Sequence, residues 1–311
     1  MKFAFIMDPL EGVKPWKDTS YFLMLAAAQR GHQVAYLDQR DLYLLHDQLM
    51  ARVKWLKVTE DHAGPFEVVD QVTVSMAEMD VIWIRTDPPF DRRYFYTTLF
   101  LDFLPDSVRV INRPRGVRDW NEKLGAIHFP ELTPDTCVSN RIEQIIEFAS
   151  RHERITVKPV DGYGGKGIFF FSTGEDTAVL DEATHQGAHW VIAQEYLPAA
   201  KEGDKRILMV DGEPIGAILR VHAEGQELNN MDLGGKPIPS ELDESDRAIC
   251  AALKPHLKEM EAFFVGIDVI GGKLIEINVT SPTGLQELCQ FTGIDHHHEI
   301  IRKLEAGQAS G

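Results

Sequence analysis

The densest run of residues able to do chemistry is Lys158-Pro-Val-Asp-Gly162-Tyr163-Gly164-Gly165-Lys-Gly167, with four glycines in six positions. Such glycines let backbone N–H groups approach an anion closely, and Lys158, at the end of an incoming strand, adds a point charge for phosphate oxygens. The strand-like Ile168-Phe-Phe-Phe171 follows where a dinucleotide fingerprint would need a helix, and no Gly-Lys-Ser/Thr closes a Walker A loop. A strand, a glycine flap over phosphates and a second strand remain. The plain alternatives are a flexible hairpin and a surface lysine.

A second constellation is acidic. Asp268 lies in Val265-Gly-Ile-Asp-Val-Ile270, and Glu276 and Asn278 lie in Leu274-Ile-Glu-Ile-Asn-Val279. Glu276 and Asn278, two apart, share one strand face. Oxygen donors among aliphatic residues suit Mg²⁺ shared with substrate phosphates, although alternation alone describes a solvated hairpin face. Register discriminates between these. A two-residue turn at Gly271-Gly272 pairs Asp268 with Ile275, whereas an odd, three-residue turn sets Asp268 opposite Glu276. The odd turn is the expectation.

The elements that must carry these groups follow two textures. The first third alternates strands (3–7, 34–37, 81–84, 108–111) with an amphipathic helix over 20–30, capped by Gly31, and a helix over 94–103. This predicts a parallel sheet covered on both faces. Beyond Asn112-Arg113-Pro114 the pattern becomes strands at 155–160, 168–171, 190–194, 207–210, 215–220, 264–269 and 274–279, with a hairpin turn at Asp211-Gly212. That reads as mainly antiparallel sheet with helices on one side, so the fold class is α/β followed by α+β. Residues 223–240, rich in Gly, Asn and Pro, read as a long loop.

Composition sets limits. The 311 residues carry 48 acidic against 32 basic side chains, a net charge of −16, which argues against nucleic acid as partner. A local basic cleft for a small anion remains open. Cys137, Cys250 and Cys289 are scattered, which fits neither a disulfide framework nor a zinc site. Asp8 interrupts the first apolar run too early for a signal peptide, and no run reaches membrane-spanning length. The expectation is a cytoplasmic protein with no membrane or nucleic-acid partner.

The flap, the lysine and the acidic strand pair, in this order, resemble the ATP-grasp ligases, and over nearly the whole chain the bacterial glutathione synthetases. The residues carrying the resemblance are Met7-Asp8-Pro9, Arg85-Thr-Asp-Pro-Pro-Phe-Asp91, Asn121-Glu-Lys123-Leu, Lys158-Pro through Gly165, Tyr196-Leu-Pro, Gly203-Asp-Lys-Arg206, Asp211-Gly-Glu-Pro214 and Glu276-Ile-Asn-Val-Thr-Ser-Pro-Thr283. The resemblance implies three domains: an N-terminal Rossmann-like (preATP-grasp) substrate domain over 1–120, a central lid with the flap over 121–200, and a C-terminal metal and acyl-phosphate domain over 201–311. It implies ligation of γ-glutamylcysteine to glycine through an acyl phosphate, using ATP and Mg²⁺ (or Mn²⁺), in a homo-oligomer.

By the same resemblance, Lys123, Lys158 and the flap residues Gly162, Tyr163, Gly164 and Gly165 would hold ATP phosphates. Gln194, Glu195, Tyr196 and Leu197 would hold adenine, largely through backbone. Asp268, Glu276 and Asn278 would hold two Mg²⁺ ions. Arg206 and Arg220 would orient the carboxylate and stabilise the oxyanion, with a surface ion pair as the alternative; Asp204 either holds a cation or caps a turn. Arg85 would meet the dipeptide's anionic end, Asp18 and Ser20 would cap a helix and touch its γ-glutamyl group, and Ser281 and Thr283 would bind glycine's carboxylate.

The chain departs from the family pattern after Arg220. Leu228 stands where relatives carry arginine and Asp232 where a small residue is usual, while Asn230 and Gly234-Gly235 are kept. The resemblance gives this loop the task of closing over the reacting centre, so losing a cation there bears on the substrate. The competing readings are a related ligase with another acceptor or peptide, and a non-catalytic ATP-binding regulator. Asp295-His296-His297-His298 cannot easily converge on a metal and reads as a solvated or interface cluster. The cysteines have no base nearby in sequence and are assigned no role.

Overall fold

The computed structural model describes residues 1–221 and 235–308. Its elements in chain order are β1 (Lys2–Ile6), α1 (Thr19–Gln29), β2 (Gln33–Leu37), β3 (Leu42–Leu45), β4 (Gln48–Val58), β5 (Phe66–Ser75), β6 (Val81–Ile84), α2 (Arg92–Leu101), β7 (Arg109–Ile111), α3 (Pro114–Arg118), α4 (Leu124–Ile127), β8 (Thr136–Ser139), α5 (Ile142–Ala149), β9 (Ile155–Pro159) and β10 (Phe169–Phe171). There follow α6 (Ala178–Ala183), β11 (Val191–Glu195), β12 (Asp204–Val210), β13 (Glu213–Val221), β14 (Lys236–Ser240), α7 (Glu244–Glu259), β15 (Phe264–Ile270), β16 (Lys273–Asn278), α8 (Leu285–Thr292) and α9 (His296–Gln308). Among the described residues no helix is long and apolar enough to cross a membrane.

The first sheet runs β3-β4-β2-β1-β6-β7, with β5 on β4. Its parallel half, β2-β1-β6-β7, is the one the apolar runs predict: Phe3 pairs with Val34 on one side and Val81 on the other. The antiparallel β3–β5 extension was not anticipated and corrects the wholly parallel reading. In β4 the alternation of Leu49, Ala51 and Val53 turned inward was available in the sequence.

Helix α1 also differs from expectation. It is buried nearly all round rather than amphipathic, because it lies between this sheet and helices α8 and α9. Its N-cap is Asp18, whose carboxylate accepts from the Tyr21 N–H at 2.8 Å, and Gly31 follows its end with φ +82°.

The second sheet, β10-β9-β11-β8, is antiparallel, with α5 and α6 closing one face around Ile145, Phe148 and Leu180. The third, β14-β13-β12-β15-β16, is antiparallel and packs α7 through Ile249, Leu253 and Leu257. Strand β14 falls inside the stretch expected to be loop. Its prolines, Pro237 and Pro239, are tolerated because β14 is an edge strand with only β13 beside it.

The first and third sheets share a core in which Trp83 meets Phe263 and Phe264 edge-on at 6.4 and 6.1 Å. Asn112 pins them together: its Nδ2 donates to the Phe264 and Val279 carbonyls, both at 2.8 Å, and its Oδ1 accepts from the Phe264 N–H at 2.8 Å. Residues 120–132 pack on the third sheet as well, through Trp120, Ala126, Phe129 and Leu132.

Candidate active site

A cavity of about 400 Å³ opens between the second and third sheets. Strand β9 delivers Lys158 to it, and the flap crosses from β9 to β10 with Gly164, Gly165 and Gly167 at φ +62°, +75° and +74°, angles that favour glycine. Tyr163, Gly164 and Gly165 line the cavity, and Gly162 lines a separate, neighbouring one. Lys158 is buried and donates to Gln194 Oε1 at 3.1 Å. Burial pushes its pKa down to about 8, with the negative field of Glu276 opposing and the charge of Lys123 adding to the fall. Lys123, just ahead of α4, donates to the Gly162 carbonyl and lies 3.7 Å from Glu276. The flap, two lysines and an acid therefore meet in one place.

At the other end, Gln194 and Glu195, the last residues of β11, and Tyr196 and Leu197 just beyond it line the wall. Arg154 lies over the rings of Phe170 and Tyr196 at 4.2 and 4.9 Å, and those rings meet edge-on at 5.3 Å. The result is a stiff aromatic corner suited to a flat ring. The N–H groups of Glu195 and Tyr196 are already donated to the Asp135 and Arg154 carbonyls.

The acidic strand pair corrects one expectation and meets its consequence. The β15–β16 turn has two residues, Gly271 and Gly272, at φ +55° and +74°, and not three. Ile270 pairs with Lys273 and Val269 with Leu274, but a bulge at Ile275 shifts the ladder so that Asp268 still faces Glu276. Asn278 Nδ2 donates to the Gly266 carbonyl at 3.2 Å and to Asp268 Oδ2 at 3.3 Å.

Among the described residues no three His, Cys, Asp or Glu side chains could hold an ion by themselves. The oxygen donors of Asp268, Glu276 and Asn278 on one wall nevertheless fit a hard dication that takes its remaining ligands from phosphate and water.

Arg206 and Arg220 are not a surface pair. Arg206 grips Asp268 with Nε at 2.6 Å and Nη2 at 3.1 Å, and its Nη1 donates to the Thr283 carbonyl at 3.2 Å. Arg220 binds Asp204 bidentately and reaches Asp268 Oδ2 at 3.0 Å. Burial alone would raise the Asp268 carboxyl, but the two guanidinium groups hold it well below the usual carboxylate range. Burial raises Asp204 in spite of Arg220. Two arginines and two carboxylates form a rigid, charge-balanced corner on the cavity wall.

Arg85, Asp18 and Ser20 come together behind this cavity, not on its wall. Arg85 is buried, donating to Ser20 Oγ and to the Pro282 carbonyl, both at 3.0 Å, and among the described residues its Nη1 has no partner. Asp18 accepts the helix cap bond, and burial raises its pKa. Ser281 and Thr283 do line the cavity, with Ser281 Oγ donating to Asp87 Oδ1 at 2.8 Å.

Asn230, with Leu228 and Asp232, lies outside the described residues. The solvated reading of the histidines fails for two of them: His296 and His297 are buried at the start of α9, and His297 stacks on Phe22 at 3.8 Å. Burial lowers the His297 pKa to about 4. Cys289 meets His297 Nδ1 at 3.7 Å, a neighbour that local sequence could not reveal. Glu122 and Asp87 at the cavity were also passed over; both sat inside motifs quoted above for other residues.

Residues 1–118 match the N-terminal domain of prokaryotic glutathione synthetase, and residues 122–293 match its ATP-grasp domain. A glutathione synthetase of Gloeobacter violaceus is 43% identical, covering 97% of this chain and 95% of its own. One from Pseudomonas putida is 43% identical over 98% of this chain and 99% of its own. Among solved structures, D-cycloserine synthetase DcsG aligns with a TM-score of 0.67 over 99% of this chain and all of its own, at 16% identity, and the ATP-grasp ligase PsnB bound to a minimal precursor aligns with 0.65 over 98% of each, also at 16%. The fold is that of the ATP-grasp ligases.

Proposed function

The chain belongs to the prokaryotic glutathione synthetase family, and from that premise we propose that its cavity joins γ-glutamylcysteine to glycine with cleavage of ATP. The observation carrying this is the meeting of Lys123, Lys158, the glycine flap, the Asp268–Glu276 pair and two carboxylate-bound arginines around one space of about 400 Å³. A carboxylate oxygen of the dipeptide attacks the γ-phosphorus, the bond to the bridging oxygen breaks and ADP leaves. Glycine's nitrogen then attacks the acyl carbon and gives up its proton, and phosphate departs with the former carboxylate oxygen.

Lys123, Lys158 and the flap N–H groups hold and neutralise the phosphates. Gln194, Glu195, Tyr196 and Leu197 receive adenine. Arg206, held by Asp268, and Arg220, held by Asp204, orient the reacting carboxylate and offset the charge of the tetrahedral centre. Arg85, whose buried Nη1 has no partner among the described residues, suits the far carboxylate of the dipeptide, with Asp18 and Ser20 beside it. Ser281 and Thr283 suit glycine's carboxylate. Asp268, Glu276 and Asn278 would hold Mg²⁺, which when bound offsets negative charge on the phosphates.

Residues 1–120, 121–200 and 201–311 are taken as the three domains, with the segment 120–132 packed on the last of them. Free cysteines support a cytoplasmic setting, and family membership supports a homo-oligomer.

Steady-state ADP release with γ-glutamylcysteine and glycine tests the reading. Turnover that requires both substrates is expected; turnover only with a different amine or a different dipeptide would replace glycine or γ-glutamylcysteine, the two points on which Leu228 in place of arginine bears. A Glu276→Ala variant that still binds ATP and loses no activity would make the protein a regulator.

A further inference from the structure

Three consecutive side chains, Asn121, Glu122 and Lys123, turn to three different elements. Asn121 Oδ1 accepts from the Lys123 and Leu124 N–H groups at 3.0 and 2.9 Å, and its Nδ2 donates to the Val160 carbonyl, past the end of β9, at 3.2 Å. Lys123 reaches the flap and Glu276. Glu122 holds the end of β16. Its Oε1 accepts from the Val279 N–H at 2.8 Å, the Thr280 N–H at 2.9 Å and the Thr280 hydroxyl at 2.8 Å, and its own carbonyl accepts from the Ile277 N–H at 2.9 Å.

These four bonds bracket Asn278 and follow Glu276 by one residue. On the opposite side of the same segment, Asn112 takes the Val279 carbonyl. Residues 277–280 are therefore also fixed from outside their sheet, beyond the bulge at Ile275, where β16 pairs with β15 only through Glu276, Ile277 and Asn278. A neutral side chain could tie a strand down as well. A buried carboxylate close to Glu276 is an unfavourable way to do it, and burial together with the Glu276 charge raises its pKa. Glu122 also lines the cavity.

We propose that Glu122 is a positioning residue that sets the aim of Glu276 and Asn278, and so fixes how strongly the site prefers metal-loaded over metal-free nucleotide. This rests on the reading of Glu276 and Asn278 as metal-bearing residues. Glu122 acts through them and does not touch the reacting atoms.

Calorimetric titration of ADP, once with Mg²⁺ and once with chelator, tests this in the parent, Glu122→Ala, Glu122→Gln and Glu276→Ala proteins. In Glu122→Ala, metal-free ADP should bind within about twofold of the parent while Mg·ADP weakens about 10-fold or more, as is usual when the partner orienting a metal ligand is lost. Glu122→Gln keeps an oxygen able to accept the same bonds and should stay within about threefold.

If Glu276→Ala retains the full Mg²⁺ effect, the metal reading itself fails. If Glu276→Ala loses the effect and a folded Glu122→Ala keeps it, the positioning proposal is overturned while the metal reading stands. A lowered melting temperature in both Glu122 variants with an unchanged Mg·ADP to ADP ratio also overturns it. Should Glu122→Ala not fold, Thr280→Val removes one of the three donors and should weaken Mg·ADP about two- to threefold, leaving metal-free ADP alone; an unchanged Mg·ADP affinity there overturns the proposal.

Discussion

Lys158 should make nucleotide binding depend on pH in a way few lysines do. Its ammonium is buried against the neutral Gln194 oxygen, and its pKa falls to about 8 in the free protein. A phosphate placed against it would return it to the ordinary lysine range of roughly 10.4. Binding above pH 8 therefore takes up a proton, and affinity falls as pH rises. Between pH 7.5 and 9.0 the protonated fraction of the free protein drops from about 0.8 to about 0.1, so ADP should bind about eightfold more weakly, ~1.3 kcal/mol.

Calorimetry at pH 8.5 in two buffers of different ionisation heat should register about 0.8 proton taken up per nucleotide. Lys158→Arg keeps its charge throughout this range and should flatten both effects. An affinity that is level from pH 7.5 to 9.0 in the parent, with no proton uptake, would refute the assignment of Lys158 to the phosphates.

Three further outcomes follow from the packing. Asp268→Asn leaves Arg206 without its carboxylate and Arg220 with Asp204 alone, so it should cost about 3–5 kcal/mol and lower the melting temperature by roughly 6–15 °C, read by scanning fluorimetry. Burial opposes ionisation of Asp268, but the arginines depress its folded pKa, so its contribution is present above about pH 4 and lost on further acidification; Asp268→Asn should therefore lose less stability than the parent on going from pH 5 to 3. Asn112→Ala strands the Phe264 and Val279 backbone groups and should cost about 2–4 kcal/mol by urea unfolding. Asp18→Ala removes the α1 cap bond for about 1 kcal/mol, and should raise KM for γ-glutamylcysteine more than it lowers kcat.

The groups doing chemistry were more legible than the framework. Glycines and a lysine between two apolar strands marked a flap or hairpin able to approach an anion, and Asp268, Glu276 and Asn278 stood out because oxygens interrupt aliphatic runs. The bulge at Ile275 was not legible, since nothing in Leu274-Ile275-Glu276 marks one extra residue; turn length alone gave the right pairing for the wrong reason. Helix α1 looked amphipathic because its burial comes from α8 and α9, more than 250 residues away in sequence. His296 and His297 looked solvated because Phe22, which covers His297, lies in that same distant helix. Glu122 was hidden by its neighbour: Lys123 supplied an obvious role for the motif, while two of the three donors to the Glu122 carboxylate are the N–H groups of residues 279 and 280, which no side-chain pattern reports.

Isotope transfer examines carboxylate activation most directly. With γ-glutamylcysteine labelled by ¹⁸O in the glycyl-accepting carboxylate, ATP and glycine, each amide formed should send one ¹⁸O into the released phosphate, because the bond made to the γ-phosphorus keeps the carboxylate oxygen. Phosphate released without label, with the lost ¹⁸O recovered in water, would contradict an acyl phosphate made in this cavity.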